Sequence, residues 1–525
     1  MQNLLDRNRF LKTLDEGHQW DVIIIGGGAT GLGTAVDAAS RGLKTLLLEQ
    51  SDFSQGTSSR STKLIHGGVR YLAQGNIKLV YEGLRERWRL MQNAPHLVKP
   101  LSFVIPCYTW FSLVVYLIGL KLYDWLSGKY SIGPSERLTR KEVIEAMNGI
   151  RSRGLVGGVR YYDGQFDDSR LAISLAQTCA SNRGVLLNYM KVTGLVKTDG
   201  TITGVVTHDL ENGKAYTVYG SAVVNATGVF VDDVIHMDTS HASPMVRPSQ
   251  GIHVVLDRSF MESDYALMIP RTRDGRVLFA LPWQEHLLIG TTDTPLEKTE
   301  HEPIARQEEI DFVLETAGNY LSRQPRREDV LTVFAGLRPL VLPDKQMRET
   351  KEISRDHKLF VSASGLITIT GGKWTTYRKM AQDTVDKIVK AIRKDALPCV
   401  TVGLRLHGYR EPSVHNQVTV YGSDEIYIRE LKQHNPEHSE PLLDGLYPSR
   451  AEVLWAVRNE MARTVEDVLG RRLRVLFTDA SAAIKMAPVV AAIIAKELSY
   501  EPEWIDEQVR KFTSLAMRYL PPNSA

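Results

Sequence analysis

Cysteine is nearly absent. The 525-residue chain holds three, Cys107, Cys179 and Cys399, far apart and with no C-x-x-C pair. This excludes a disulfide framework and a zinc or iron–sulfur site made of thiolates alone; no metal site is expected, and a reducing compartment fits. An excess of charge of one sign is missing too. The 64 basic and 61 acidic side chains leave a formal +3, too little for a nucleic-acid footprint. The first twenty residues carry Asp6, Arg7, Arg9, Lys12, Asp15 and Glu16 and never build the apolar core of a secretory signal, so a cytoplasmic location is expected. Only Leu101–Leu120 is free of charge over the length of a membrane span. Pro106 breaks that run and Ser102, Cys107, Thr109 and Ser112 dilute it, which argues against a crossing.

What is present is ordinary for a globular chain. With 43% apolar and 24% charged side chains, intrinsic disorder is excluded as the main state. The length predicts about two to four domains.

Within the charge-free run, Leu101–Tyr108 reads as a strand or turn and Thr109–Leu126 as a helix. The helix is apolar nearly all round, with Trp110, Phe111, Leu113, Val114, Leu117, Ile118, Leu122, Trp125 and Leu126, and Lys121, Asp124 and Lys129 cluster toward its C-terminal end. Burial in a core and monotopic insertion into one leaflet both suit such a helix. Trp110, Tyr116, Tyr123 and Trp125, suited to a headgroup level, favour the second.

Asp21–Ile25 is an apolar, β-branched run ending in Gly26-Gly27-Gly28. A helix over Thr34–Ser40 and a strand over Lys44–Leu48 follow, making one βαβ unit. Residues 41–71 are dense in Ser, Thr, Gly and Gln and read as loops around a site. Val192–Val218 alternates like a β-meander, with hairpin turns at Asp199-Gly200 and Asn212-Gly213. Ala222–Val224 is a further buried strand. Leu366–Thr370 leads into a second glycine cluster and a helix from Thr375, and helices over Ala451–Asp467 and Asp479–Leu498 dominate beyond Pro398. The expected fold class is α/β. A Rossmann-like FAD-binding domain (18–82, 155–235 and 355–398) is interleaved with an α+β substrate, or capping, domain (83–154 and 236–354). An all-helical C-terminal domain (399–525) follows.

The cofactor assignment begins at Gly26-x-Gly28-x-x-Gly31, which follows a strand and opens a helix. Gly26 permits the tight turn, Gly28 lets a pyrophosphate approach the backbone, and Gly31 lets the helix pack on the strand. The helix N-terminus, at Ala29 and Thr30, offers unpaired N–H groups to the anion. Glu49 closes the next strand, where a carboxylate can accept from both ribose hydroxyls. The chain returns to a strand ending in Ala226-Thr227-Gly228 some 200 residues later, a discontinuous layout that suits FAD better than NAD. Gly371-Gly372-Lys373 ahead of a helix offers a second cluster of backbone N–H groups.

Further strings occur in order: Ser58-Ser59 with Lys63-Leu64-Ile65-His66-Gly67-Gly68-Val69-Arg70-Tyr71, Gly290-Thr291-Thr292-Asp293, Gly336-Leu337-Arg338-Pro339, and Gly371-Gly372-Lys373-Trp374-Thr375-Thr376-Tyr377-Arg378. Together with Gly26–Gly31 and Val224–Gly228, they closely resemble the FAD-dependent glycerol-3-phosphate dehydrogenases of the aerobic respiratory type, from about residue 20 to 395. Val69 and Trp374 depart from the aliphatic residues common there. The resemblance implies oxidation of sn-glycerol 3-phosphate to dihydroxyacetone phosphate, with electrons passed to a membrane quinone. It also implies peripheral attachment to the inner face of the cytoplasmic membrane. A homodimer is the assembly expected. The rival reading is a glycerol-3-phosphate oxidase that uses oxygen and releases hydrogen peroxide.

A substrate of that kind brings a phosphate dianion, which a planar guanidinium matches with two N–H groups. Arg338, in a Gly-Leu-Arg-Pro turn, leads the candidates. Arg70 and Lys373 come next, Arg355 adds to the clamp, and Tyr71 and Thr292 join the substrate contacts. Alcohol oxidation also needs a group to take the hydroxyl proton, and His66 and His253 both qualify. Ser58, Ser59, Lys63, Leu64, His66, Gly67, Ala226, Thr227, Gly228, Gly372, Lys373 and Thr375 join Gly26–Gly31 and Glu49 as expected cofactor contacts. Asp167-Asp168 reads as a helix N-cap.

Overall fold

Val22–Ile25 is four apolar residues in a row, all buried. A strand apolar on both faces belongs inside a parallel sheet covered on each side. In the computed structural model, which describes residues 3–72, 75–273, 275–342, 357–412 and 419–521, it is central to a six-stranded sheet. The order is His357–Val361, Ile367–Gly371, Val223–Asn225, Val22–Ile25, Thr45–Leu48 and Val185–Leu187, parallel except at the His357–Val361 edge. Ile24 stands opposite Val224 on one side and Leu47 on the other. The helix Ala29–Ser40 packs on Tyr377–Ile392 so closely that a Cβ at Gly33 would lie 2.7 Å from the Tyr377 ring.

The expected meander is present as Met190–Thr198, Thr201–Asp209 and Ala215–Tyr219, with positive φ at Asp199, Gly200 and Gly213 in its turns. A second, ten-stranded sheet forms the other body. Its long members are Val98–Cys107, Gly157–Phe166, Val246–Asp257 and Val330–Val341. This corrects one expected boundary: residues 157–166, assigned from the sequence to the nucleotide domain, pair along their whole length with Val98–Cys107. Leu64–Ile65 adds to the same sheet at Gln165 and Gly164. Hydrogen bonding between strands distant in sequence decides membership there, and no local pattern records it.

The C-terminal region is helical, with Arg450–Asn459, Ala480–Leu498 and Pro502–Ala516 packed against the large sheet. It departs from expectation twice. A small hairpin, Pro441–Leu443 with Leu446–Ser449, interrupts the helices. The single helix expected over Ala451–Asp467 ends at Asn459, and Met461 takes a left-handed φ of 55° before a wider turn over Asp467–Arg472. The Leu101–Tyr108 segment is strand, within Val98–Cys107, and Trp110–Ser127 is the helix that follows. Among the described residues, no helix is long and apolar enough to cross a membrane.

Candidate active site

The parallel sheet and the ten-stranded sheet enclose a cavity of about 640 Å³, within the usual range of roughly 300–1,000 Å³ for ligand sites. The glycine turn forms one end. Gly26 has φ of 110°, and a Cβ on Gly31 would sit 1.8 Å from the Gly26 carbonyl oxygen, so the helix rests directly on the turn. Gly28 is the N-cap of Ala29–Ser40 and provides no side-chain cap. The Ser58 Oγ accepts from the Ala29 N–H at 2.9 Å, and a Cβ on Gly28 would come to 3.0 Å from that oxygen. Glu49 accepts from the Gly27 and Ser51 N–H groups at 2.6 and 2.8 Å. Burial raises its pKa while those two bonds oppose the rise. A carboxylate has about four acceptor positions, so capacity for a ribose remains. Ala226, Thr227 and Gly228 close the next strand on the same cavity, and Gly371 and Gly372, with φ of 78° and 73°, bring the late turn to it. A helix N-terminus whose own N-cap residue has no side chain, a bare glycine backbone and an acid at the second strand end fit the pyrophosphate and ribose of FAD.

The other wall comes from one face of two antiparallel strands. Their register sets Ser249 opposite Arg338, Gly251 opposite Gly336, and His253 opposite Phe334, so these six residues share a side of the sheet. Arg338 therefore lies on the strand Val330–Val341 and not in the turn expected from Gly-Leu-Arg-Pro. Ten consecutive paired residues, Val246–Val255, override the local turn signal. Its guanidinium donates to the Gln250 and Thr292 carbonyls at 3.2 and 2.9 Å and to Thr291 Oγ1 at 3.1 Å, and it faces Asp293 at 3.3 Å. It lies over Gly251, where a Cβ would approach Nη2 to 2.2 Å.

His253 is buried and stacks on the Phe334 ring with centroids 4.9 Å apart. Its Nε2 pairs with Thr62 Oγ1 at 2.9 Å, and its buried Nδ1 has no hydrogen-bond partner among the described residues. Burial first, then the charges of Lys63 and Arg338, hold its pKa well below the ordinary histidine value, so the ring is neutral.

Most expected site residues meet on this cavity: Gly26, Gly28, Ala29, Thr30, Glu49, Ser58, Leu64, His66, Ala226, Thr227, Gly228, His253, Thr292, Arg338, Gly372, Lys373 and Thr375 all line it. Others stand behind the wall. Gly31 is under the turn, Gly67 donates from its N–H to Asp163 Oδ1 at 3.0 Å, and Ser59 and Lys63 are buried beneath the loop. The Thr292 hydroxyl is engaged in the scaffold, donating to Glu309 and accepting from the Ile252 N–H. Arg355 lies outside the described residues, as do the side chains of Arg70 and Tyr71.

Comparison with known proteins agrees with this geometry. Residues 21–378 match the family described as FAD dependent oxidoreductase, and 363–505 match the C-terminal domain of alpha-glycerophosphate oxidase. A mitochondrial glycerol-3-phosphate dehydrogenase of Homo sapiens is 39% identical over 98% of this chain and 76% of its own length. Its counterpart in Arabidopsis thaliana is 38% identical over 94% and 85%. A solved glycerol-3-phosphate dehydrogenase from Bacillus halodurans, complexed with FAD, superposes with a TM-score of 0.80 at 29% identity, covering all of both chains. The chain belongs to the FAD-dependent glycerol-3-phosphate dehydrogenases.

Two parts of this dehydrogenase escaped sequence reasoning. Thr62, inside the serine- and threonine-rich loop, holds the His253 ring, and no motif separates it from its neighbours. Asp168 does more than continue the N-cap. Asp167 caps Asp168–Ser181 by accepting from Ser169 and Arg170 N–H groups, whereas Asp168 is buried and accepts from Lys63 Nζ at 2.7 Å. That ammonium also lies 5.2–5.5 Å from the ring centroids of Trp283, Phe334 and Phe477. Burial, with Arg474 adding, brings Lys63 down to about 7 while Asp168 opposes the shift.

Proposed function

We propose that the chain oxidises sn-glycerol 3-phosphate to dihydroxyacetone phosphate and passes the electrons to a quinone in the membrane on which it docks. The observation that carries the substrate assignment is the shared sheet face on which Arg338 and His253 sit four residues apart in register, with Gly251 between them. When bound, FAD supplies a hydride acceptor. The protein's own groups do the rest. The Arg338 guanidinium, anchored by the Gln250 and Thr292 carbonyls, Thr291 and Asp293, fixes a positive charge on the cavity wall toward which the phosphate is drawn, and the substrate would exchange for some of these contacts. His253, neutral and on the cavity wall, is the first candidate to take the hydroxyl proton, and His66 on the opposite loop is the second.

The direct test is the flavin spectrum of the purified protein. Glycerol 3-phosphate is expected to bleach the flavin absorbance under anaerobic conditions, with the reduced protein reoxidised by a quinone far faster than by oxygen. Bleaching by an amino acid instead would remove the substrate assignment, and rapid peroxide formation would remove the quinone. Arg338→Ala is expected to lower kcat/KM by at least about 2 kcal/mol, the usual size for losing a desolvated charged pair. Arg338→Lys should recover little, because an ammonium cannot reproduce the fork. Steady-state kinetics with an artificial acceptor decide both.

Docking is assigned to Trp110–Ser127. The helix is amphipathic in place: Phe111, Trp125 and Ile118 are 80%, 76% and 65% exposed, with Trp110, Val114 and Leu122 beside them, while Leu113, Leu120 and Tyr123 face the core. Large apolar side chains gathered on one outward face suit burial at the acyl boundary, with Lys121 and Lys129 reaching headgroups. The triple change Phe111→Ser, Ile118→Ser and Trp125→Ser should release the protein from vesicles in a flotation assay. Turnover with a water-soluble acceptor should survive while quinone reduction falls. A variant that still floats with lipid would place docking elsewhere.

A further inference from the structure

The loop that forms the cavity's long side is fastened from behind by the C-terminal domain. Between Glu49 and Thr62 nearly every residue lines the cavity; the exceptions are Asp52, Phe53 and Ser59, all buried on the loop's underside. Besides Asn188 on Asp52 and Lys63 on the Ser59 carbonyl, Asp52 and Ser59 meet guanidinium groups from one short stretch far along the chain. The Arg472 guanidinium donates to both Asp52 oxygens at 2.6 and 2.9 Å, and Arg471 donates to the same carboxylate at 2.6 Å. Arg474 Nη2 donates to the Ser59 carbonyl at 2.8 Å and to Asp168 Oδ1 at 3.0 Å. Asp168 in turn accepts from the Ser61 N–H and hydroxyl at 3.0 and 2.7 Å. Three buried guanidinium groups thus grip the two ends of one loop.

We propose that Arg471, Arg472 and Arg474 are positioning residues for the flavin, and that the C-terminal domain acts in cofactor retention through them. None of the three lines the cavity. They act through the loop, whose Ser58 Oγ meets the Ala29 N–H at the glycine turn and whose Thr62 meets His253. Buried arginine–carboxylate pairs are an uncertain source of stability but fix one arrangement where alternatives exist. A loop rich in Ser, Thr, Gly and Gln has many alternatives. The redundancy is informative as well. Asp52 has two cations, and Asp168 has Lys63 besides Arg474, so removing Arg472 or Arg474 leaves both loop-facing carboxylates paired, whereas Arg471 also pairs with Glu466 and Asp467. The consequence of a single change should therefore fall on loop position more than on folding.

The test uses the full-length holoenzyme and follows FAD release on dilution by the rise in free-flavin fluorescence, together with the visible circular dichroism of the bound flavin. Arg474→Met is expected to speed FAD release roughly ten- to a hundredfold, the size seen when outer partners that orient a ligand-holding group are removed, and to alter the dichroism. Arg474→Lys, which keeps the charge but reaches one acceptor in place of two, should be intermediate. Arg458→Met, which breaks an exposed pair with Glu497 inside the C-terminal domain, should leave both readouts at wild type. A purely structural role would lower the melting temperature of Arg474→Met with release rate and dichroism unchanged, and that result overturns the proposal. If Arg474→Met does not fold, Arg474→Lys decides: faster release supports positioning and a wild-type rate rejects it.

Discussion

Gly28→Val is expected to yield a folded protein that purifies without flavin. The Cβ alone would stand 3.0 Å from Ser58 Oγ, tighter than ordinary contact, and the two methyl groups beyond it extend into the space a pyrophosphate needs. Gly28 has φ of −83°, so valine is not strained by backbone conformation. The damage is confined to the ligand side, which makes this position a cleaner probe than Gly31. At Gly31 a Cβ would meet the Gly26 carbonyl at 1.8 Å and disrupt the fold itself. The measurement is the ratio of flavin to protein absorbance after gel filtration, with far-ultraviolet circular dichroism as the check on folding. A yellow, folded Gly28→Val protein would show that this turn does not hold the pyrophosphate.

The second large effect concerns the proton. His253→Gln should slow flavin reduction by roughly 10²–10⁴-fold in stopped flow, the range for losing general-base help, with substrate binding changed much less. The pH profile provides an independent check. The folded-state pKa of His253 is depressed, so the ring stays neutral as pH falls through the ordinary histidine range. Activity should then show no loss near pH 6.5 that belongs to this group. The stability consequence has the opposite character. Below the unfolded pKa of about 6.5, the unfolded chain takes up a proton that folded His253 refuses, so stability falls as pH drops and is retained above that point. His96 contributes in the same direction, since burial and the Arg170 charge bring it down to about 3. If His253→Gln and the equivalent His66 variant both reduce at the wild-type rate, the proton leaves by another route.

The glycine turn, the acid at the second strand end, the βαβ unit and the meander were all legible because each rests on short-range chemistry. Val-Ile-Ile-Ile must be buried on both faces, glycine is needed where a Cβ would strike a carbonyl 1.8 Å away, and Asp199-Gly200 can take the two positive φ values of a tight hairpin. The same locality explains why Asp167 was recognisable as a cap. Arg338 shows where such reasoning fails. Its Gly-Leu-Arg-Pro context reads as a turn, and only pairing with a strand about ninety positions earlier makes it extended and sets its side chain beside His253.

The amphipathic helix divides the same way. Its apolar composition was evident from the sequence, but residues apolar all round do not declare which of them face a core. Packing against the large sheet buried Leu113 and Leu120 and left Phe111 and Trp125 outward. The chain by itself therefore determined the cofactor cradle, whose requirements are steric and local. Tertiary structure alone decided the wall that carries Arg338 and His253, the outward face of the helix, and the grip of Arg472 on Asp52 across 420 positions. Hydrogen-bond register and charge pairing between distant segments leave no periodicity or motif in either segment taken singly.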